Sequence, residues 1–84
     1  NDRKTTIKGN ETLDVTKEIK ITAGQKITIV CGKSKITMDP MSIKIESPSV
    51  EILTDLQFKT DSKLLSDHKA GAMMSINGTM VKIN

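Results

Sequence analysis

The sequence predicts an all-β fold of short strands, and three observations predict it. Apolar and polar residues alternate over much of the chain, the two-residue period of a half-buried strand. Each alternating stretch ends at a turn residue, so a corner arrives every seven to nine positions. Ile, Val and Thr make up 25 of the 84 residues, and these side chains fit a pleated surface better than a helix.

The elements follow in chain order. Leu13 and Val15 share a parity behind the Gly9-Asn10 corner. Ile19, Ile21 and Ala23 share the next, up to Gly24-Gln25, and Ile27, Ile29 and Cys31 the one after, up to Gly32-Lys33. There the parity moves by one, to Ile36 and Met38. Asp39-Pro40 moves it again, to Met41, Ile43 and Ile45, and Ser47-Pro48 once more, to Val50, Ile52 and Thr54. Met74 and Ile76, then Asn77-Gly78, then Val81 and Ile83 close the chain. Glycine permits the backbone angles of a sharp corner, and proline withholds only one ladder donor.

A longer spacing lies above the alternation. Ile19 to Ile27, Ile21 to Ile29 and Ala23 to Cys31 are each eight residues; Ile27 to Ile36 is nine; Ile36 to Ile43 and Ile43 to Val50 are seven. Two architectures fit such spacing. One is an antiparallel meander or small barrel; the other is a β-helix or β-prism with one strand per rung. Only Asn77-Gly78 carries the favoured hairpin chemistry, so the other corners read as bends that carry the chain forward. Isoleucine also recurs from rung to rung, which suits a prism. Residues 55–72 are less regular. Leu56 and Phe58 continue the alternation, which then lapses. An irregular strand or loop is expected there; the alternative is a short helix capped by Ser62, running through Asp67 and ended by Gly71.

The core is too thin for a chain on its own. A chain of 84 residues makes one domain and buries only about 60% of its unfolded surface, or a little more. Phe58 is its single aromatic residue, and hydrophobic content is 36%. Small domains in this position rely on disulfides, a metal or other subunits. Cys31 is the only cysteine and His68 the only histidine, so no internal disulfide forms and no zinc-type spacing exists. Association with other subunits remains.

The net charge is +3, and the lysines are spread among Thr, Ser, Asp and Glu. This reads as a solvated face, and no nucleic-acid partner is expected, because a single-strand binder needs several aromatic platforms. No apolar run approaches the ~20 residues of a membrane helix, and no signal peptide is visible. The chain begins with Asn1, so it is expected to be part of something longer.

No enzymatic site is expected. Cys31 shares the parity of Ile27 and Ile29 and reads as a small inward hydrophobe; a nucleophile would need a base that the pattern does not place beside it. His68 reads as a loop residue. Met38, Met41 and Met74 fit the inward parity and read as core filling. Glu46, Glu51, Asp55 and Asp61 fall mostly outward, as a solvated face. No phosphate loop, nucleophile elbow or dinucleotide fingerprint appears, and no cofactor or metal is expected.

The pattern Ile-Thr-Ala-Gly-x-x-Ile-x-Ile from Ile21 to Ile29, then Gly32-Lys33-Ser34-x-Ile36, Ser42-Ile43-x-Ile45 and Val50-Glu51-Ile52, resembles the C-terminal β-helical needle of VgrG-type spike proteins. These belong to bacterial type VI secretion systems and are similar to the tail spikes of contractile phages. The stretch from Gly9 to Val15 resembles the Gly-Asn-x-Thr octads upstream of that needle, and the stretch from Ile76 to Asn84 resembles its closing strand. The resemblance covers Gly9 to Ile52 well and Met74 to Asn84 fairly.

The resemblance implies an intertwined homotrimer, a triangular β-prism in which each chain supplies a third of the interior. Its core would be Ile19, Ile21, Ile27, Ile29, Cys31, Ile36, Met38, Ile43, Ile45, Val50 and Ile52. It implies a needle made in the bacterial cytoplasm and driven through a target-cell envelope by a contracting sheath. It also implies a PAAR-type tip protein, with Val81, Lys82, Ile83 and Asn84 as the contact if Asn84 lies at the tip. Removing those four residues is then expected to abolish binding of such a protein in a pull-down. Two other classes stand beside this reading. A trimeric phage fibre or adhesin stalk would share the prism and carry a binding surface outside it, around residues 55–72. A β-helical enzyme would need larger rungs and an acidic cluster on one face, and the sequence has neither.

Overall fold

The structure, a computed structural model, describes residues 2–84. It is all-β, with three strands and no helix among the described residues. The chain divides into two units, Asn1–Glu51 and Ile52–Asn84.

The first unit holds the sheet. Strand β1 spans Ile27–Cys31, β2 Ser34–Met38 and β3 Ile43–Glu46. They form one antiparallel meander in the order β1-β2-β3. Ile27 lies opposite Met38, Ile29 opposite Ile36 and Cys31 opposite Ser34. Across the second ladder, Met38 lies opposite Ile43, Ile36 opposite Ile45 and Lys35 opposite Glu46.

Two turns set this register. Gly32 and Lys33 form a two-residue loop between the paired Cys31 and Ser34, and Gly32 has φ +58° while Lys33 does not enter positive φ. Glycine first with positive φ is the pattern of a type II′ turn, whose twist matches that of the flanking strands. A side chain in the left-handed region costs roughly 1–2 kcal/mol, so glycine is needed here even though a Cβ would meet open space. This corrects the reading of Gly32-Lys33 as a bend that carries the chain forward: it reverses the chain. Asn77-Gly78, the corner with the expected hairpin chemistry, joins no strands.

The second turn is built on Asp39. Its carboxylate Oδ1 accepts from the backbone N–H of Met41 at 3.0 Å and of Ser42 at 2.9 Å, and from the Ser42 hydroxyl at 3.3 Å. The Asp39 N–H donates to the Ser42 carbonyl at 3.0 Å. An aspartate that satisfies the N–H groups two and three residues on closes a turn by itself. Pro40 and Met41 form its tip. Met41, expected inward by parity, is 93% exposed because the turn consumes it.

The Asp39 carboxyl is held below its ordinary value of 3.8, first by the Met41 N–H and then by that of Ser42. A depressed carboxyl stabilises the fold above its unfolded value and loses that contribution as pH falls through the folded one. The turn is therefore at full strength above 3.8 and loosens below it. The amide proton shifts of Met41 and Ser42, followed by NMR, are expected to titrate together with a midpoint under 3.8, and to stop doing so in Asp39→Asn.

Outside β1–β3 the alternating segments form no ladder. Residues 13–15, 19–23 and 50–52 lack strand pairing in the single chain, as do 74–76 and 81–83. Alternation makes a segment fit for a strand, but a strand needs a neighbour for its backbone groups. In the second unit the Ser62 hydroxyl donates to the Leu65 carbonyl at 2.6 Å. A helix cap accepts from an N–H instead, and residues 55–72 are irregular, as the sequence led one to expect.

Candidate assembly interface

Side chains directly opposite each other in an antiparallel ladder share a face. The register therefore collects Ile27, Met38 and Ile43 into one row across the sheet, and Ile29, Ile36 and Ile45 into the next. A third row begins with Cys31 and Ser34. The other face holds Thr28, Thr37 and Lys44 in one row and Val30, Lys35 and Glu46 in another. The parity shifts at Gly32 and Asp39-Pro40 are what keep three strands in phase: each turn inserts the residues needed to bring isoleucine back to the same side.

This apolar face is uncovered. Ile27 and Met38 are half-buried by their neighbours, but Ile43 is 70% exposed, Ile45 59% and Ile29 57%; Ile36, at the centre of the sheet, is still 38% exposed. No side chain among the described residues is buried, apolar or polar. Burying one such side chain fully is worth about 1.5–3 kcal/mol, and a three-stranded sheet needs a covered apolar face to hold together. The sheet therefore presents two rows of aliphatic side chains that it cannot cover by itself.

The Cys31 row closes the face with polar groups. The Ser34 and Ser47 hydroxyls lie 2.9 Å apart; Ser47 Oγ donates to the Ser49 carbonyl at 2.9 Å and accepts from the Ser49 N–H at 3.4 Å. With the Ser47 proton engaged this way, the Ser34 hydroxyl is the donor to Ser47 Oγ. The sequence singles out neither serine as a site residue, and Ser47-Pro48 reads there as a corner; the signal was that Ser34 precedes Ile36 by two and Ser47 follows Ile45 by two, so both share the isoleucine parity. Cys31 is exposed at this end.

The opposite face is polar and weakly tied. Lys35 Nζ lies 3.9 Å from Glu46 Oε1 across the ladder, with both side chains about half exposed. Exposed pairs of this kind are worth about 0–1 kcal/mol, so this one helps to set register more than stability.

The remaining residues assigned to the core are not part of this sheet. Ile19, Ile21, Val50 and Ile52 are exposed and unpaired with β1–β3. Val81, Lys82, Ile83 and Asn84, the candidates for a tip contact, lie in the second unit and are exposed. His68 Nε2 meets the Ser66 hydroxyl at 3.0 Å on the surface. Among the described residues no three His, Cys, Asp or Glu side chains converge as a metal site. Among the same residues no helix is long and apolar enough to cross a membrane. No protein-family model, curated protein or solved structure matches the chain.

Proposed function

We propose that this chain is a structural element that works as a homotrimer, with the aliphatic face of β1–β3 turned toward its symmetry copies. The observation that carries this reading is the pairing of a one-sided sheet, Ile27, Ile29, Ile36, Met38, Ile43 and Ile45 on one face, with the lack of any buried side chain among the described residues. A chain with an ordered apolar face and nothing to cover it has its missing interior in other molecules. Three copies around one axis close that face while Lys35, Lys44 and Glu46 stay in water.

The needle of a contractile injection apparatus is the role that the sequence resemblance attaches to such a trimer. Its task is mechanical: a rod pushed through a target-cell envelope resists bending and unfolding under axial load. That calls for a high unfolding barrier rather than a reactive group, because forced unfolding is governed by the unfolding rate. The Ile-rich face and the polar reverse face suit this task; Val81–Asn84 would then carry a PAAR-type tip protein. The test is the native mass in solution by light scattering. About 28 kDa, three chains of 9.2 kDa, is expected. A particle of 9.2 kDa at micromolar concentration overturns the reading.

A further inference from the structure

The two free edges of the sheet differ. The outer edge of β3 runs Ile43-Lys44-Ile45-Glu46, with Pro40 and Pro48 close at either end. Charges and prolines are the usual devices that keep another strand off an edge. The outer edge of β1 runs Ile27-Thr28-Ile29-Val30-Cys31, with no charge and no proline, and Val30 is 62% exposed. The sheet is thus guarded on one side and open to strand addition on the other.

The chain contains a segment that fits the open edge. Residues 18–23 alternate as Glu-Ile-Lys-Ile-Thr-Ala, are exposed, and form no ladder. Shifted by eight positions, Ile19, Ile21 and Ala23 fall on Ile27, Ile29 and Cys31. We propose that residues 18–23 of a second copy add to the edge of β1 as a parallel fourth strand in that register. The apolar face then gains Ile19, Ile21 and Ala23 as an outer column. On the polar face Glu18 comes opposite Lys26, Lys20 opposite Thr28 and Thr22 opposite Val30, so the only new pair of full charges is attractive.

The added strand comes from another molecule for a reason of reach. Parallel neighbours need a crossover of a dozen or more residues, and only Gly24, Gln25 and Lys26 separate Ala23 from Ile27. Within one chain those three residues allow only an antiparallel hairpin, with Ala23 opposite Ile27, Ile21 opposite Ile29 and Ile19 opposite Cys31. That arrangement sets Lys20 against Val30 and carries Glu18 past the end of β1, away from Lys26.

The proposal rests on the homotrimer reading and names which strand each copy lends to the next. Cys31 makes it testable, because it is the chain's only cysteine and ends β1. In the proposed register the thiol introduced by Ala23→Cys stands beside Cys31 of the neighbouring copy. Adjacent strands lie about 4.8 Å apart, inside the Cα separation a disulfide accepts. Oxidation with diamide, which takes up the two electrons and two protons of each thiol pair, is expected to link the copies head to tail. The product is a covalent trimer of about 28 kDa on a non-reducing gel, three times 9.2 kDa. Its mass spectrum is expected to contain a peptide pair that joins the introduced cysteine to Cys31. Ile19→Cys is the control, since the hairpin alternative places it beside Cys31 of its own chain. An Ile19→Cys variant that forms its disulfide within a 9.2 kDa chain overturns the proposal. So does an Ala23→Cys variant that is trimeric when reduced and fails to form the bond to Cys31 on oxidation; the homotrimer reading survives that result. Wild-type chains that are monomeric overturn both. If Ala23→Cys itself dissociates, Ile21→Cys with Ile29→Cys, on a Cys31→Ser background, reads the same register two residues along: a disulfide between chains supports the proposal, and one within a 9.2 kDa chain overturns it.

Discussion

Ile36→Asp is expected to reduce the assembly from about 28 kDa to single chains of 9.2 kDa in light scattering. Ile36 is the centre of the apolar face: it lies on the middle strand, opposite Ile29 on one side and Ile45 on the other. A trimer loses the burial of three isoleucines, about 4.5–9 kcal/mol, and must also shelter three carboxylates with no cation on that face. Lys44→Asp, on the polar face of β3, is the matched control and is expected to leave the mass unchanged, since surface substitutions away from special features stay within about 0.5 kcal/mol. Equal behaviour of the two variants would mean that the two faces of the sheet are not inside and outside.

Amide exchange in residues 19–23 and 50–52 is expected to slow by about a thousandfold or more between the Ile36→Asp chain and the wild-type assembly. Ile19, Ile21, Val50 and Ile52 have strand alternation but no ladder in the single chain, so their N–H groups are open to water. Neighbouring copies would supply the missing partners. Hydrogen–deuterium exchange read by mass spectrometry distinguishes this from association through β1–β3 alone, in which the flanking segments exchange as fast in the assembly as in the single chain.

Much of the sheet was legible in the residues. The alternation and its phase shifts at Gly32 and Asp39-Pro40 put Ile27, Ile29, Ile36, Met38, Ile43 and Ile45 on one side, and the ladder register places them so. What alternation does not carry is the direction of the chain after a corner. A bend and a reversal preserve the same apolar parity, and Gly32-Lys33 has the glycine of a II′ turn rather than the more familiar Asn-Gly signal. Nor does alternation say whether a segment has a neighbour. Residues 19–23 and β1 look alike in sequence, yet only β1 is paired, because Gly32 folds a partner back onto it within two residues. The use of Asp39 as the hub of the second turn was equally hidden: its place before Pro40 marks a corner, but the three donors that converge on its carboxylate depend on the backbone of Met41 and Ser42. The apolar face follows from pattern, while what covers it does not.

The unequal protection of the two sheet edges bears on how such a chain avoids amyloid. A meander with two bare edges can recruit copies from both sides and elongate without limit. Here Lys44 and Glu46, bracketed by prolines, block one direction of growth. In the proposed assembly, accretion is left to the other side, where closing three copies into a ring leaves no β1 edge free for a further chain.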